Sequence, residues 1–303
     1  MSSFRLNFKP LASFGFLTLL AAGVSGCTLA QADNATYDRF TDWCTNQATL
    51  TPYASYTVDA LLSVAGTQEC DRAEAILADV TELSLGHGDI SDLAPLTTLP
   101  QLTWLHLSDN QISDLTPLSE LTELTWLHLG ENQITDIAPL STLTKLTELN
   151  LSANQISDIA PLSTLTQLTW LDLQVNQISD ITALSTLTEL DWLSLSFNRI
   201  ETIDALSSLV KLANVDLGDN RITQISPLAE LTELFWLGLV DNRITDVRPL
   251  ANLTELDVLM LAQNQITDVT SLSTLENVSM LFLEENPLRD RTCPVEPASI
   301  CSF

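Results

Sequence analysis

Two histidines and two aspartates occupy equivalent positions of a segment that recurs through this 303-residue chain. His106 and His128 stand in identical LTWLHL segments 22 residues apart, and Asp172 and Asp216 take the same place further along. Imidazole and carboxylate groups can bind metals and exchange protons near neutral pH. The two histidines lack a close third ligand, so we expect no metal site. Both would gain charge below about pH 6.5, which would make binding at this position pH-dependent.

A tryptophan stands two residues before this position in five of the segments. These residues are Trp104, Trp126, Trp170, Trp192 and Trp236. Each indole carries about 150 to 250 Å² of mostly apolar surface, so a half-exposed row would form a patch of several hundred Å². Such a patch predicts a binding surface. The alternative is that internal duplication copied a tryptophan that packs flat against its neighbours.

The charge of the chain restricts the class of partner. Asp and Glu number 39 against 12 Lys and Arg, which gives a formal net charge of -27. A surface of this charge repels phosphate backbones and anionic lipids, so we expect no nucleic acid partner. Partners with basic or apolar surfaces, or neutral polymers such as glycans, fit better.

A further set of aspartates recurs at the 22-residue spacing, ahead of a predicted helical turn: Asp92, Asp114, Asp136, Asp158, Asp180, Asp246 and Asp268. Stacked carboxylates repel one another, so something must offset their charge. The first interpretation is that each side chain accepts hydrogen bonds from backbone N–H groups of its own turn. Calcium bridging between repeats is the second.

Motifs of catalysis are missing from the sequence. It has no Gly-rich phosphate loop, no H-E-x-x-H, no G-x-S-x-G and no cysteine placed as a nucleophile. We therefore expect no enzyme and no cofactor. A hydrolytic enzyme using a pair of the abundant carboxylates ranks third among the functional hypotheses.

The elements that must position these side chains follow from one repeat. Nine asparagines recur every 22 residues without insertion, and Gly88 takes the preceding place, which gives ten units that we call rungs. In LTWLHL the leucines alternate with Trp and His, which predicts a strand with one buried and one exposed face. Stacked at about 4.8 Å, ten such strands form a parallel sheet of about 45 Å. The asparagines are predicted to bond the backbone of each turn: Asn110, Asn132, Asn154, Asn176, Asn198, Asn220, Asn242, Asn264 and Asn286.

The repeat L-x-x-L-x-L-x-x-N-x-I-x-D-I-x-P-L-x-x-L-x-x-L, complete in LTELNLSANQISDIAPLSTLTQL, resembles leucine-rich repeat proteins of the internalin-like and phosphatase-regulator type. The resemblance covers about residues 80–289. It implies an α/β solenoid wound as a right-handed superhelix, with a parallel sheet on the concave face and short helices on the convex face. It also implies a recognition scaffold that binds protein partners through the concave face.

Both ends of the solenoid need a cap, because a terminal rung would expose its leucines. Residues 36–79 are expected to form an N-terminal cap with Trp43 in its core, and residues 290–303 a C-terminal cap. Four cysteines lie in these caps, and two local pairs suit an elongated protein better than a bond between its ends. We predict the disulfides Cys44–Cys70 and Cys293–Cys301.

The N-terminus has the pattern of an export signal. A basic start and the apolar run 11–24 precede VSGC, which resembles a bacterial lipobox with Cys27 as the lipidated residue. Residues 1–27 are therefore interpreted as signal peptide and 28–35 as a tether. Cleavage after Ala30-Gln31-Ala32, giving a secreted protein, is the alternative.

Together these patterns predict an extracytoplasmic monomer that touches the membrane only through a lipid anchor. Its concave face would bind a protein through the five tryptophans with His106, His128, Asp172 and Asp216. Binding of a glycan or of the cell wall is the alternative.

Overall fold

The computed structural model describes residues 36–303, which form one parallel sheet with a helical cap at its N-terminal end. The cap consists of α1 (Phe40–Thr45), α2 (Pro52–Ala65) and α3 (Cys70–Leu77). Trp43 is buried in the cap and donates its indole N–H to the carbonyl of Tyr37 at 3.0 Å. Thr57 of α2 donates to the carbonyl of Asp92 at 2.7 Å, which ties the cap to the first rung.

Ten three-residue strands supply the rungs, and their order in the sheet is their order in the sequence. Their spacing is 22 residues throughout, so every side chain lies beside its equivalent in the next rung. The strands are β1 (Glu82–Ser84), β2 (Trp104–His106), β3 (Trp126–His128), β4 (Glu148–Asn150), β5 (Trp170–Asp172), β6 (Trp192–Ser194), β7 (Asn214–Asp216), β8 (Trp236–Gly238), β9 (Val258–Met260) and β10 (Met280–Phe282). The predicted leucine-rich repeat fold is confirmed.

An eleventh strand, β11 (Cys301–Ser302), was not predicted. It comes from the C-terminal segment and pairs in parallel with β10, where Leu283 donates its N–H to the carbonyl of Ser302 at 2.9 Å. Both predicted disulfides, Cys44–Cys70 and Cys293–Cys301, are present. The first joins α1 to α3, and the second joins β11 to Cys293, which precedes it in the C-terminal segment.

Short 3-10 helices complete the rungs on the side opposite the strands. Proline takes the second position of most of them, where its missing N–H costs no hydrogen bond. They span Ala94–Thr98, Thr116–Glu120, Ala138–Thr142, Ala160–Thr164, Thr182–Thr186, Asp204–Ser208, Ser226–Leu228, Arg248–Asn252 and Thr270–Thr274, with further ones in the caps at Gln47–Thr49 and Ala298–Ile300. Among the described residues no helix is both long and apolar enough to cross a membrane.

Leucine and isoleucine from each rung meet in one continuous core between the strands and the 3-10 helices. Leu105 and Leu107, the alternating residues of β2 and its extension, are completely buried. Each such side chain contributes about 1.5 to 3 kcal/mol by leaving water. A single rung could not gain this energy alone, so the stability of the solenoid depends on stacking.

The asparagine column satisfies the buried backbone between rungs. Asn154 accepts the N–H of Ile134 at 3.0 Å and donates to the carbonyl of Leu129 at 3.0 Å, both in the preceding rung. It also donates to the carbonyls of Leu151 and Ser152 in its own rung, both at 3.1 Å. All nine asparagines repeat this pattern, as the sequence predicted.

Each of these turns contains a strained residue. The residue directly before each asparagine, and before Gly88, has a positive φ between 49° and 61°. Ala153, Val175 and Phe197 adopt this conformation although their side chains disfavour it. The hydrogen bonds of the asparagines hold the backbone there against the strain.

We expect Asn154→Ala to lower the free energy of unfolding by about 2 to 4 kcal/mol, because it leaves a buried N–H and buried carbonyls without partners. Urea unfolding followed by circular dichroism measures the change. The control is Gln155→Ala, since Gln155 is exposed and next in sequence. Equal unfolding midpoints for the two variants would show that the asparagine column does not stabilise the turns.

Candidate functional site

The concave face of the sheet presents two columns of side chains. Strand register aligns Trp104 with Trp126 and Trp170 with Trp192, and it places Glu148 between the two pairs. All four indoles are partly exposed. Four of the tryptophans therefore lie in one column of the sheet, and a carboxylate separates the two pairs.

Each tryptophan pair stacks with nearly parallel rings. The ring centroids of Trp104 and Trp126 lie 4.3 Å apart with 14° between the planes. Those of Trp170 and Trp192 lie 4.4 Å apart with 9° between the planes. Such pairs contribute about 0.5 to 1.5 kcal/mol each beyond their burial. The geometry matches the alternative in which tryptophans pack flat on one another, but it also makes a rigid apolar surface.

His128 fills the gap between the two pairs. It belongs to the neighbouring column, yet its ring stacks on Trp126 at 3.4 Å and on Trp170 at 5.6 Å, with 25° between planes in both contacts. Trp104, Trp126, His128, Trp170 and Trp192 thus form one continuous row of rings, which we call the aromatic stack. The sequence predicted that His128 lies in the column next to the tryptophans. It did not predict that the His128 ring stacks between two of them.

Trp236 lies outside the aromatic stack, two rungs beyond Trp192. Its ring covers Gly238, where an added Cβ would approach the ring atom Cη2 to 2.7 Å. Glycine at this position therefore lets the indole lie along its own strand. The rungs that follow carry apolar side chains in both columns: Val258, Met260, Met280 and Phe282.

Burial sets the protonation of the histidines. The half-buried ring of His128 has its pKa lowered to about 4, first by loss of solvent and then by the neighbouring His106. Its Nε2 atom is buried without a hydrogen-bond partner. Burial lowers the pKa of His106 to a smaller extent, and its Nδ1 lies 3.2 Å from the Ser84 hydroxyl. Both rings are neutral at pH 7.

The two aspartates of the concave face are more buried than predicted. Asp172 is only 4% exposed and accepts the backbone N–H of Gln174 at 3.0 Å, so it offers a partner little surface. Asp216 accepts the N–H of Gly218 at 3.0 Å. Loss of solvent raises the pKa of both carboxyl groups. The carboxyl groups of Asp109 and Glu131 on the adjacent turns are exposed instead, and that of Asp109 bonds His87 at 3.0 Å.

The seven aspartates of the convex turns bond backbone, as the first interpretation predicted. Each accepts the N–H two residues ahead, from Asp92 with Ala94 at 3.0 Å to Asp268 with Thr270 at 2.9 Å.

Within residues 36–303 no three His, Cys, Asp or Glu side chains are grouped so that they could hold a metal ion. The predicted signal peptide, the tether and the lipidated Cys27 lie outside the described residues.

The free energy of unfolding should decrease as the pH is lowered, because of His128. Its pKa is near 4 in the fold and about 6.5 when unfolded, so only the unfolded chain gains a proton between these values. The free energy of unfolding should drop by about 1 to 2 kcal/mol from pH 7 to pH 4.5 through this residue, after screening by solvent.

This drop is measured by urea unfolding at several pH values, as the difference between native protein and His128→Phe, which keeps an aromatic ring in the stack. His87→Gln is the control, because that side chain is 76% exposed. An identical pH dependence for native protein and His128→Phe would show that His128 protonates freely in the fold.

Known proteins share this architecture. A family model described as two copies of the leucine-rich repeat matches residues 122–164, 188–230 and 232–274. Two further leucine-rich repeat models match residues 144–200 and 101–121. No curated relative matches the chain significantly in sequence.

Solved structures are similar over most of the described chain. Internalin C2 of Listeria monocytogenes is 35% identical, with a TM-score of 0.63, over 69% of this chain and 91% of that one. A leucine-rich repeat protein of Leptospira interrogans is 27% identical, with a TM-score of 0.68, over 71% and 57%. The Arabidopsis receptor kinase HAESA ectodomain, solved with a peptide hormone ligand, is 26% identical, with a TM-score of 0.62, over 71% and 40%. The chain belongs to the leucine-rich repeat family and is similar to internalins.

Proposed function

We propose that this protein is an extracytoplasmic recognition scaffold that binds a protein partner through the aromatic stack on its concave face. The observation that carries the proposal is the continuous row of five partly exposed rings. Leaving so much aromatic edge in water costs free energy that a partner would recover. Large aromatic side chains are also the residues that contribute most to protein interfaces.

The direction in which the rings point favours a protein over a glycan. A sugar binds an indole best through its exposed face, but each stacked indole here turns a face to a neighbouring ring. Because Trp126, His128 and Trp170 each have a stacked ring on two sides, the surface they leave to solvent is mainly ring edge, and edges pack well against apolar side chains. Exposed Asp109 and Glu131 border the stack and suit basic groups on the partner. The expected partner surface is therefore apolar with a basic rim.

Related structures support binding of a ligand, and the disulfides support a location outside the cytoplasm. The HAESA ectodomain was solved with a peptide hormone, which is a precedent for ligand binding by this fold. Two disulfides at the ends of the chain suit an oxidising compartment outside the cytoplasm. Attachment to the cell envelope through Cys27 and action without enzymatic turnover complete the proposal.

The test starts with capture of partners from membrane and cell-wall fractions and identification of the bound protein by mass spectrometry. The purified partner is then titrated against native protein and Trp126→Ala/Trp170→Ala. We expect the double variant to weaken binding by about 100-fold or more, because two central aromatic contacts are lost. Binding should also weaken with added salt.

Phe235→Ala is the matched control, since Phe235 is 51% exposed and lies beside the sheet rather than in the stack. It should leave affinity within about twofold of native. Circular dichroism establishes that the double variant is folded. Equal affinity of the double variant would assign the partner to another surface. Trp-dependent capture of isolated wall polysaccharide, with no protein bound, would establish the glycan alternative.

A further inference from the structure

Three arginines occupy the same position in consecutive rungs, although the chain has few basic residues. Arg199, Arg221 and Arg243 each follow the asparagine of their rung. Most other rungs carry glutamine at this place: Gln111, Gln133, Gln155, Gln177 and Gln265. We call the three residues the arginine ladder. In a chain of net charge -27 they form a local basic strip.

The fold holds these arginines close together. The backbone N–H of Arg221 bonds the carbonyl of Ile200 at 2.9 Å, and Arg199 and Arg243 repeat this contact with Ile178 and Ile222. Consecutive rungs of a parallel sheet lie about 4.8 Å apart, so the ladder spans about 10 Å. Like charges at this spacing repel one another, which is a cost that a bound anion would remove.

The arginines of the ladder form few close ion pairs with neighbouring carboxylates. Within the described chain its one ion pair is Arg221 with Glu201, at 3.8 Å between guanidinium nitrogen and carboxylate oxygen. The other exposed cations of these rungs have closer partners: Lys211 reaches Glu189 at 2.6 Å, and Arg248 reaches Asp246 at 2.6 Å.

The convex aspartate column is also interrupted beside the ladder. Thr202 and Gln224 take the aspartate position in the rungs of Arg199 and Arg221. In the third rung Asp246 is present, but it is already paired with Arg248. Among the described residues, Arg199 and Arg243 therefore have no carboxylate within 4.0 Å, and Arg221 has only Glu201.

The ladder lines a groove of about 690 Å³ together with Phe197, Asp219 and Asp241. Asp219 lies close to Asp241, and burial followed by this neighbouring carboxylate raises its pKa. The groove thus offers both guanidinium donors and carboxylate acceptors to a ligand. Phe197 adds an exposed apolar surface at one end.

We propose that the arginine-ladder groove binds an extended acidic segment of the protein partner, an inference that rests on the proposed function. Carboxylates on the segment pair with the guanidinium groups, and its backbone N–H groups donate to Asp219 and Asp241. A sulfate or phosphate ion has no such donors and would face the two aspartates. A nucleic acid backbone also lacks N–H donors for the two aspartates, and its charges would extend past the ladder onto the acidic remainder of the protein.

The dimensions of an extended peptide fit the ladder. Alternate side chains of a strand point to one side and lie about 6.6 to 6.8 Å apart. Two carboxylates at alternate positions therefore lie within the about 10 Å that the three guanidinium groups span. The partner segment is therefore expected to have an acidic residue at every second position.

The probe is a blocked hexapeptide of alternating Glu and Ala, titrated by calorimetry into the full-length protein. We expect measurable binding that weakens at least about tenfold in Arg199→Gln/Arg221→Gln/Arg243→Gln, because charge-assisted hydrogen bonds are lost. Raising salt from about 50 to about 300 mM should weaken binding by native protein. The matching Gln and Ala peptide should not bind.

Arg248→Gln is the control, because this arginine is exposed and paired outside the groove. It should bind the acidic peptide as native protein does. Absence of peptide binding by native protein, equal binding by the triple variant, or displacement of the peptide by equimolar sulfate would each overturn the proposal. Failure here alongside a Trp126-dependent and Trp170-dependent partner would leave the concave-face proposal intact, so the two are tested separately.

Discussion

Asparagine side chains hold neighbouring rungs in register, and the rest of the structure depends on that register. Asn154 and its equivalents bond one rung to the next through both amide atoms, so a rung cannot shift without breaking buried hydrogen bonds. Constant spacing then makes every variable position a straight column. Aromatic rings stack in one column and guanidinium groups crowd in another for the same reason. The surface chemistry is therefore set column by column, while the core remains unchanged.

The concave face changes character along its length. The aromatic stack covers the rungs of β2 to β6. The buried Asp172 and the partly buried Asp216 lie in β5 and β7, and Val258 and Met260 begin an apolar end. Such a surface has a direction, because its two ends offer different chemistry. A partner that bound along it would have one preferred orientation rather than a choice of two.

Sequence periodicity was sufficient for the parts of the fold that repeat. The alternation around Leu105 and Leu107 located both faces of a strand, and the regular Asn and Asp positions indicated their backbone bonds. Periodicity could not predict the position of the His128 ring. The ring lies between Trp126 and Trp170 of the neighbouring column, at the rung where Glu148 takes the place of a tryptophan. The left-handed backbone at Val175 had no glycine to signal it. The arginine ladder has the same 22-residue spacing, but the sequence alone does not show that its guanidinium groups line one groove.

The eleventh strand has a consequence for how many copies of the chain associate. An open parallel edge at β10 would offer unpaired N–H and carbonyl groups to any other molecule with a free strand. Because β11 occupies that edge and Cys301 within it is bonded to Cys293, the edge is closed by a covalent loop of the same chain. Reduction of this bond would leave β11 held only by its hydrogen bonds to β10, so the disulfide limits how readily that edge can open to another molecule.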